Sequence, residues 1–147
     1  MVRFRPLNGD EREDNEKHCI DCKPNSITIT KPADGKEHTY AYDRVYAPEE
    51  SQETVYNSAI KSVAMSSLTG YNGSIIAYGQ TGTGKTHTME GDHSGDERGI
   101  IPRASEEIFD FVNKSSADDS KFLVRISFLQ IYNEVIADLL DEDSLKK

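Results

Sequence analysis

A segment of eight residues has the residue types and the spacing needed to hold a chain of phosphates. It fits the pattern G-x-x-x-x-G-K-[ST] and consists of Gly79-Gln80-Thr81-Gly82-Thr83-Gly84-Lys85-Thr86. Glycines allow backbone turns that a Cβ would prevent, so N–H groups can curl round an anion. In this pattern the lysine ammonium contacts the outer phosphates, and the hydroxyl that follows it ligates Mg²⁺. The segment therefore predicts a site for a nucleoside triphosphate with Mg²⁺.

The residues on either side decide between a phosphate-binding loop and a glycine-rich surface turn that happens to fit the pattern. A phosphate-binding loop follows a buried strand and opens a helix. Residues 74–78 are a short apolar run with β-branched members, which predicts a buried parallel strand. Residues 87–90 are compatible with a helical turn before Gly91. This context favours the phosphate-binding loop.

The elements before this segment predict a small antiparallel β lobe near the N-terminus. Residues 2–5 predict a strand that a proline ends, and the acidic stretch 9–16 predicts a solvated loop. Polar and apolar residues alternate over 26–30, as in a half-exposed strand. Asp34-Gly35 is a hairpin turn signal, and residues 38–42 would form the returning strand.

Residues 51–68 predict a helix before the phosphate-binding segment. Ser51 is its expected N-cap, apolar residues recur at helical spacing, and Gly70 supplies the stop. Beyond the segment, residues 90–99 predict a polar loop, and Pro102 marks the start of another helix.

The C-terminal part alternates between predicted turns and strands. Residues 113–120 predict a break, and 122–132 predict a long strand with both faces partly covered. Residues 135–140 could form a helical turn or a short strand. Strands that alternate with helices predict an α/β domain, and the length suits one domain with its own core.

Composition excludes several classes of function. The net charge of −9 argues against binding to nucleic acid, because neutralising phosphates requires a basic surface. No apolar run is long enough to cross a bilayer, and no apolar signal region opens the chain, so we expect no membrane partner and a cytoplasmic protein. Cys19 and Cys22 have C-x-x-C spacing, but the scattered histidines do not complete a zinc site. We expect two reduced thiols.

Several segments together resemble the kinesin motor domain, in register from residue 2 to about residue 141. They are Arg3-Phe4-Arg5-Pro6, 42–46, 52–56, 70–73, 77–89, 99–103 and 127–134. The resemblance implies a P-loop NTPase sheet flanked by helices, here incomplete, with residues 1–147 as the N-terminal portion of the motor domain. It implies ATP or ADP with Mg²⁺ as ligands, microtubules as the partner of the intact motor, and a place on the cytoskeleton.

The resemblance also assigns roles to residues outside the phosphate-binding segment. Arg3, Arg5 and Pro6 are similar to the family's adenine-side wall, since a guanidinium plane and a proline ring can sandwich a purine. His87 would complete that wall, while Thr86 would ligate Mg²⁺. From the residues alone, the arginines could instead be surface ion pairs, and His87 could be a helix-surface residue.

Two switch motifs that the resemblance implies, N-x-x-S-S-R-S-H and D-L-A-G-S-E, do not occur in the sequence. We therefore expect these 147 residues alone to lack motor-like ATP turnover and microtubule binding, with no catalytic residue among them. We also expect the strand over 74–78 to keep an open edge that pairs with a complementary chain or a second copy. The alternative is a short kinesin-like protein that binds nucleotide or a partner without motility. A GTPase is disfavoured because no N-K-x-D segment is present.

Overall fold

The structure is a computed structural model that describes residues 1–13, 19–92, 94–115, 121–141 and 143. The chain divides into two compact units, Met1–Asp110 and Phe111–Lys147, which are described separately below. Within the described ranges, every helix is too short or too polar to cross a membrane.

The strands of the first unit form two small sheets. β1 (Val2–Arg3) pairs in parallel with β5 (Val45–Tyr46). β2 (Ile20–Lys23), β3 (Ser26–Thr30) and β4 (Glu37–Ala41) form an antiparallel sheet in that order. The antiparallel lobe predicted near the N-terminus is therefore confirmed, although β1 ends before the predicted boundary.

The acidic stretch near the N-terminus was predicted wrongly. Instead of a loop, its first part is helix α1 (Gly9–Glu13), while residues 14–16 lie outside the described residues. The Asn8 Oδ1 accepts a hydrogen bond from the Glu11 N–H at 2.8 Å. In return the Glu11 Oε2 accepts one from the Asn8 N–H at 2.8 Å. This reciprocal pair is a capping box, which starts a helix whatever the acidity of the segment.

The helix predicted over 51–68 is present as three consecutive segments. They are α2 (Gln52–Val55), a π-helical turn (Tyr56–Ile60) and α3 (Lys61–Ser67). The Ser51 hydroxyl accepts a hydrogen bond from the Thr54 N–H, which confirms the predicted N-cap. Gly70, with φ of +97°, follows the last turn, as expected for a residue that ends a helix.

Helix α5 (Ile100–Ser115) begins close to the predicted start at Pro102. The break predicted over 113–120 is wrong for 113–115, which are helical, and residues 116–120 lie outside the described residues. No proline or glycine interrupts 113–115, and Lys114 in the last turn suits the negative end of the helix dipole.

The core of the first unit lies where the π-helical turn meets the start of α5. Tyr56, Ile60 and Ile100 are buried together there, and Ile75 and Met89 pack against them. Because this contact fixes the helix that begins at Gln52 relative to the residues after the phosphate-binding segment, it positions the candidate site.

The buried parallel strand predicted over 74–78 is not formed. These residues make no ladder, and the side chains of Ile76 and Tyr78 are 85% and 99% exposed. A strand needs a neighbour for its backbone groups, and no described strand pairs with this run. The described strands therefore lie in three separate sheets. The continuous sheet flanked by helices is present only in part.

The second unit contains one hairpin. β6 (Leu129–Tyr132) pairs with β7 (Val135–Asp138) in antiparallel fashion. Asn133 and Glu134 connect them with φ of +47° and +63°, as in a type I′ turn. The long strand predicted over 122–132 is thus wrong except at its end, because residues 122–128 have no paired neighbour among the described strands. The short-strand alternative for the last segment is confirmed.

Candidate functional site

The phosphate-binding segment forms a loop whose shape depends on its glycines. It leads into helix α4 (Lys85–Met89), as predicted. Gly82 and Gly84 have φ of +85° and +89°, values that residues with a Cβ adopt only with strain. A Cβ on Gly79 would approach the Thr83 Oγ1 to 2.5 Å, so this position also excludes a side chain unless Thr83 moves.

The lysine of the segment lies across the loop. Its Nζ donates to the carbonyl oxygens of Gly79 at 2.8 Å and Gln80 at 2.9 Å. The next residue, Thr86, is exposed in the first turn of α4. A phosphate oxygen is a stronger acceptor than a neutral carbonyl, so an anion in the loop would compete for this ammonium. The glycines at positive φ, the lysine ammonium across the loop and the exposed Thr86 fit a nucleotide phosphate chain with Mg²⁺.

A cavity of about 380 Å³ joins the loop to the N-terminal strand. On one side it is lined by Arg5 and Pro6, and on the other by Thr83, Gly84 and His87. These residues are far apart in sequence, yet the resemblance assigned all of them to one nucleotide site. The described geometry thus brings the expected adenine wall and two residues of the phosphate-binding loop, Thr83 and Gly84, to the same cavity. Arg3, Phe4, Pro48, Thr88 and Glu97 complete the lining.

Arg5 reaches the cavity wall while paired with α1. Its Nη2 donates to the Glu11 Oε1 at 2.6 Å. The backbone hydrogen bond from Asn8 and the side-chain bond from Arg5 hold the pKa of Glu11 below its ordinary value. The ion pair that was the alternative for Arg5 is therefore present, and it coexists with a place on the cavity wall. Sequence reasoning missed Glu11 because it missed the helix that carries it.

Arg3 is half-buried beside the cavity. Its guanidinium donates to the Gln52 Oε1 at 2.7 Å and to the Thr88 Oγ1 at 3.0 Å. Burial lowers the pKa of Arg3, and the nearby Glu97 carboxylate partly offsets this effect. These contacts tie β1 to α2 and α4, so Arg3 holds the walls of the site together.

His87 projects from α4 with its side chain 54% exposed. The Nε2 lies 3.3 Å from the Glu97 Oε2, and the Nδ1 lies 3.3 Å from the Gln52 Nε2. Gln52 and Glu97 were not predicted as site residues. No local pattern reveals Gln52, since its partners are 35 to 49 residues away in sequence.

The cysteine pair takes no part in this cavity. Cys19 and Cys22 are free thiols that line a different cavity of about 640 Å³. Within the described residues, no group of three or more His, Cys, Asp or Glu side chains could hold a metal ion.

Comparison with known proteins places this chain in a family. The kinesin motor domain family matches residues 3–147. This match implies a P-loop NTPase fold. The chain is 44% identical over 97% of its length to the kinesin-like protein klp-20 of Caenorhabditis elegans. It is 42% identical over 96% of its length to the human kinesin-1 heavy chain. The human kinesin-like protein KIF27 is 38% identical over 99% of the chain.

The chain spans only a small part of each relative. The matched region is 23% of klp-20, 14% of the kinesin-1 heavy chain and 10% of KIF27. The family match nevertheless covers nearly all of the 147 residues. The chain belongs to the kinesin motor domain family.

Proposed function

We propose that residues 79–87, with Arg5 and Pro6, bind ATP or ADP together with Mg²⁺ as part of a microtubule motor ATPase. The observation that carries this proposal is the cavity of about 380 Å³ shared by Arg5, Pro6, Thr83, Gly84 and His87. A glycine-rich surface turn would not be expected to share a cavity with Arg5 and Pro6, which lie far from it in the sequence. The relatives bear kinesin names, which favours a motor over the nonmotile alternative.

Each residue of the site then has a physical role. The N–H groups of the glycine-rich loop surround the phosphates, and Lys85 turns its ammonium from the loop carbonyls to the outer phosphate oxygens. The Thr86 hydroxyl ligates Mg²⁺, which neutralises phosphate charge when bound. Pro6 and His87 provide apolar and aromatic surface for the adenine, and Arg5 adds a guanidinium held in place by Glu11.

The test of this site is Lys85→Ala. Loss of a charge-assisted contact of about 1.5–3 kcal/mol should weaken ADP binding roughly 10- to 150-fold. The measurement is titration of fluorescent ADP into the wild-type and variant chains. Lys36→Ala is the matched control, because Lys36 is exposed in the β3–β4 turn, away from the loop in sequence, and forms an ion pair with Asp34 of the same turn. Equal ADP affinities of the wild type and Lys85→Ala would refute the assignment.

The same proposal includes ATP hydrolysis by the whole protein and its movement along cytoskeletal microtubules in the cytoplasm. For these 147 residues alone the proposal is different. Neither switch motif occurs in them, so they hold no counterpart of the groups that place the attacking water. Such positioning is worth roughly 7–11 kcal/mol of barrier. We expect no motor-like turnover and no microtubule binding by this chain, measured by phosphate release and by co-pelleting.

The 147-residue chain also allows a test of whether residues 74–78 keep an open edge that pairs with another chain. Ile76 and Tyr78 are exposed in a run that no described strand covers, so a second copy or a complementary chain could pair with it. Sedimentation should show a mass that rises with concentration, and a constant monomer mass would contradict pairing between copies. Microtubule-stimulated phosphate release by residues 1–147 would show that the sequence supplies the groups called missing.

A further inference from the structure

A buried glutamine lies directly behind the candidate nucleotide cavity. Gln52 is the first residue of α2 and is only 3% exposed, although its carboxamide is polar. It is absent from the lining of the cavity, whereas three of its partners, Arg3, His87 and Glu97, all line it. Gln52 therefore cannot act by touching a ligand there. It can act only through the residues that it holds.

The contacts of Gln52 fix which way its carboxamide faces. The Arg3 guanidinium can only donate, and its Nη1 lies 2.7 Å from the Oε1. Backbone carbonyls can only accept, and those of His87 and Glu97 lie 2.6 Å and 3.2 Å from the Nε2. Rotating the carboxamide by 180° would place its Nε2 donor against the Arg3 donor and its Oε1 acceptor against the two backbone carbonyls. The carboxamide thus has one orientation, and it links β1, α4 and the loop that carries Glu97.

This orientation also places a hydrogen-bond donor beside the His87 ring. The Gln52 Nε2 is a pure donor, and it lies 3.3 Å from the His87 Nδ1. A donor at this edge suits a bare Nδ1, which would put the ring proton on Nε2, where it faces the Glu97 Oε2 at 3.3 Å. The imidazole thus has a contact at each ring nitrogen, and His87 lines the cavity.

We infer that Gln52 is a positioning residue that sets the tautomer and the ring orientation of His87 for contact with an adenine base. This inference rests on the proposed function, because it assigns the base to the wall that His87 shares with Pro6. An exposed imidazole without these contacts would have to lose its rotational freedom on binding. Gln52 removes that cost in advance.

The decisive variant is Gln52→Glu, which keeps the size of the side chain and its acceptor towards Arg3. It replaces the Nε2 donor with an oxygen that faces the His87 Nδ1 and two carbonyls. A carboxylate there would attract a proton to Nδ1. Gln130→Glu is the matched control, since Gln130 is an exposed residue of β6 in the second unit and undergoes the same chemical change.

The first measurement is the ¹⁵N NMR spectrum of the His87 ring in the 147-residue chain. We expect a proton on Nε2 alone in the wild type and in Gln130→Glu, and a proton on Nδ1 in Gln52→Glu. Because this readout needs no nucleotide, it does not depend on the proposed function. The same ring signals in the wild type and Gln52→Glu would overturn the inference while leaving the proposed function standing.

The second measurement compares the affinities for ADP and for Mg²⁺-pyrophosphate, which has no base. Gln52→Glu should weaken ADP binding about five- to tenfold, the equivalent of one lost preorganising contact, and leave pyrophosphate binding unchanged. Equal losses for both ligands would indicate general damage to the fold and would overturn the positioning role. A wild-type chain that binds pyrophosphate but not ADP would overturn the adenine assignment itself.

Discussion

Gly79→Ala is the most direct test of how the phosphate-binding loop keeps its shape. The added Cβ would lie 2.5 Å from the Thr83 Oγ1, well inside van der Waals contact, while the Thr83 Cβ would be 3.4 Å away. Only the Thr83 hydroxyl would therefore clash with the added Cβ. The φ of Gly79 lies outside the left-handed region, so the backbone itself tolerates alanine.

The cost follows from what Thr83 must give up. Its hydroxyl donates to the Gln80 carbonyl at 2.8 Å, a bond that closes the loop. Rotating Thr83 away from the new methyl group breaks this bond, at a cost of about 0.5–1.5 kcal/mol. If this lost free energy destabilises the loop conformation that binds nucleotide, ADP affinity should drop roughly three- to tenfold.

The mechanism predicts a particular double-mutant result. Thr83→Ala removes the same hydroxyl bond and should by itself cost about as much as Gly79→Ala. Because the bond can be lost only once, the double variant should be no worse than either single variant. The cost of the double variant should therefore be about 1 kcal/mol less than the sum of the costs of the two single variants. ADP titration of the wild type and the three variants measures it.

Gly82→Ala is the contrasting control. A Cβ at Gly82 would meet no atom within 4 Å, but the φ of +85° would be strained, at a cost of about 1–2 kcal/mol. Adding Thr83→Ala should not reduce that cost. If Thr83→Ala compensated both glycine variants, or neither of them, steric contact between Gly79 and Thr83 would not be what shapes the loop.

Two further predictions concern residues around the site and the core. Arg5→Ala should weaken ATP and GTP binding by similar factors, because stacking recognises a purine face more than its edges; unchanged ATP affinity would remove Arg5 from the wall. Burial acts to raise the pKa of Glu107, but hydrogen bonds from Lys61 and Tyr56 outweigh it, so the net shift is downward. The stabilisation is then present above pH 4.5, the ordinary value, and is lost as the pH falls through the lower folded value. In denaturation experiments, the free energy of unfolding of Glu107→Gln should decline less than that of the wild type as the pH falls below 4.5.

The sequence was sufficient wherever structure depends on neighbours in the chain. The Ser51 cap, the β3–β4 hairpin and the glycine conformations of the loop are all local, and all were predictable from residue type and spacing. The capping box of Asn8 and Glu11 was equally local. It was missed because the acidic composition of the segment drew more weight than its N-x-x-E spacing.

Strand pairing could not be predicted from local sequence patterns. Residues 74–78 and 122–128 have the composition of strands, but a strand forms only when a neighbour satisfies its backbone groups. No described strand pairs with either run. β-propensity therefore identified segments that suit a sheet without being able to state whether the partner is present.

The two halves of the candidate site differ in the same way. Gly82, Gly84, Lys85 and the Thr83–Gln80 hydrogen bond shape the phosphate half within a few residues, even though the preceding run is unpaired. The base half has no such autonomy. Its wall is assembled by contacts between distant segments, above all those of Gln52 with Arg3, His87 and Glu97. Substitutions that loosen these contacts should therefore reduce selection of the base before they reduce binding of phosphate, and comparison of ADP with pyrophosphate separates the two.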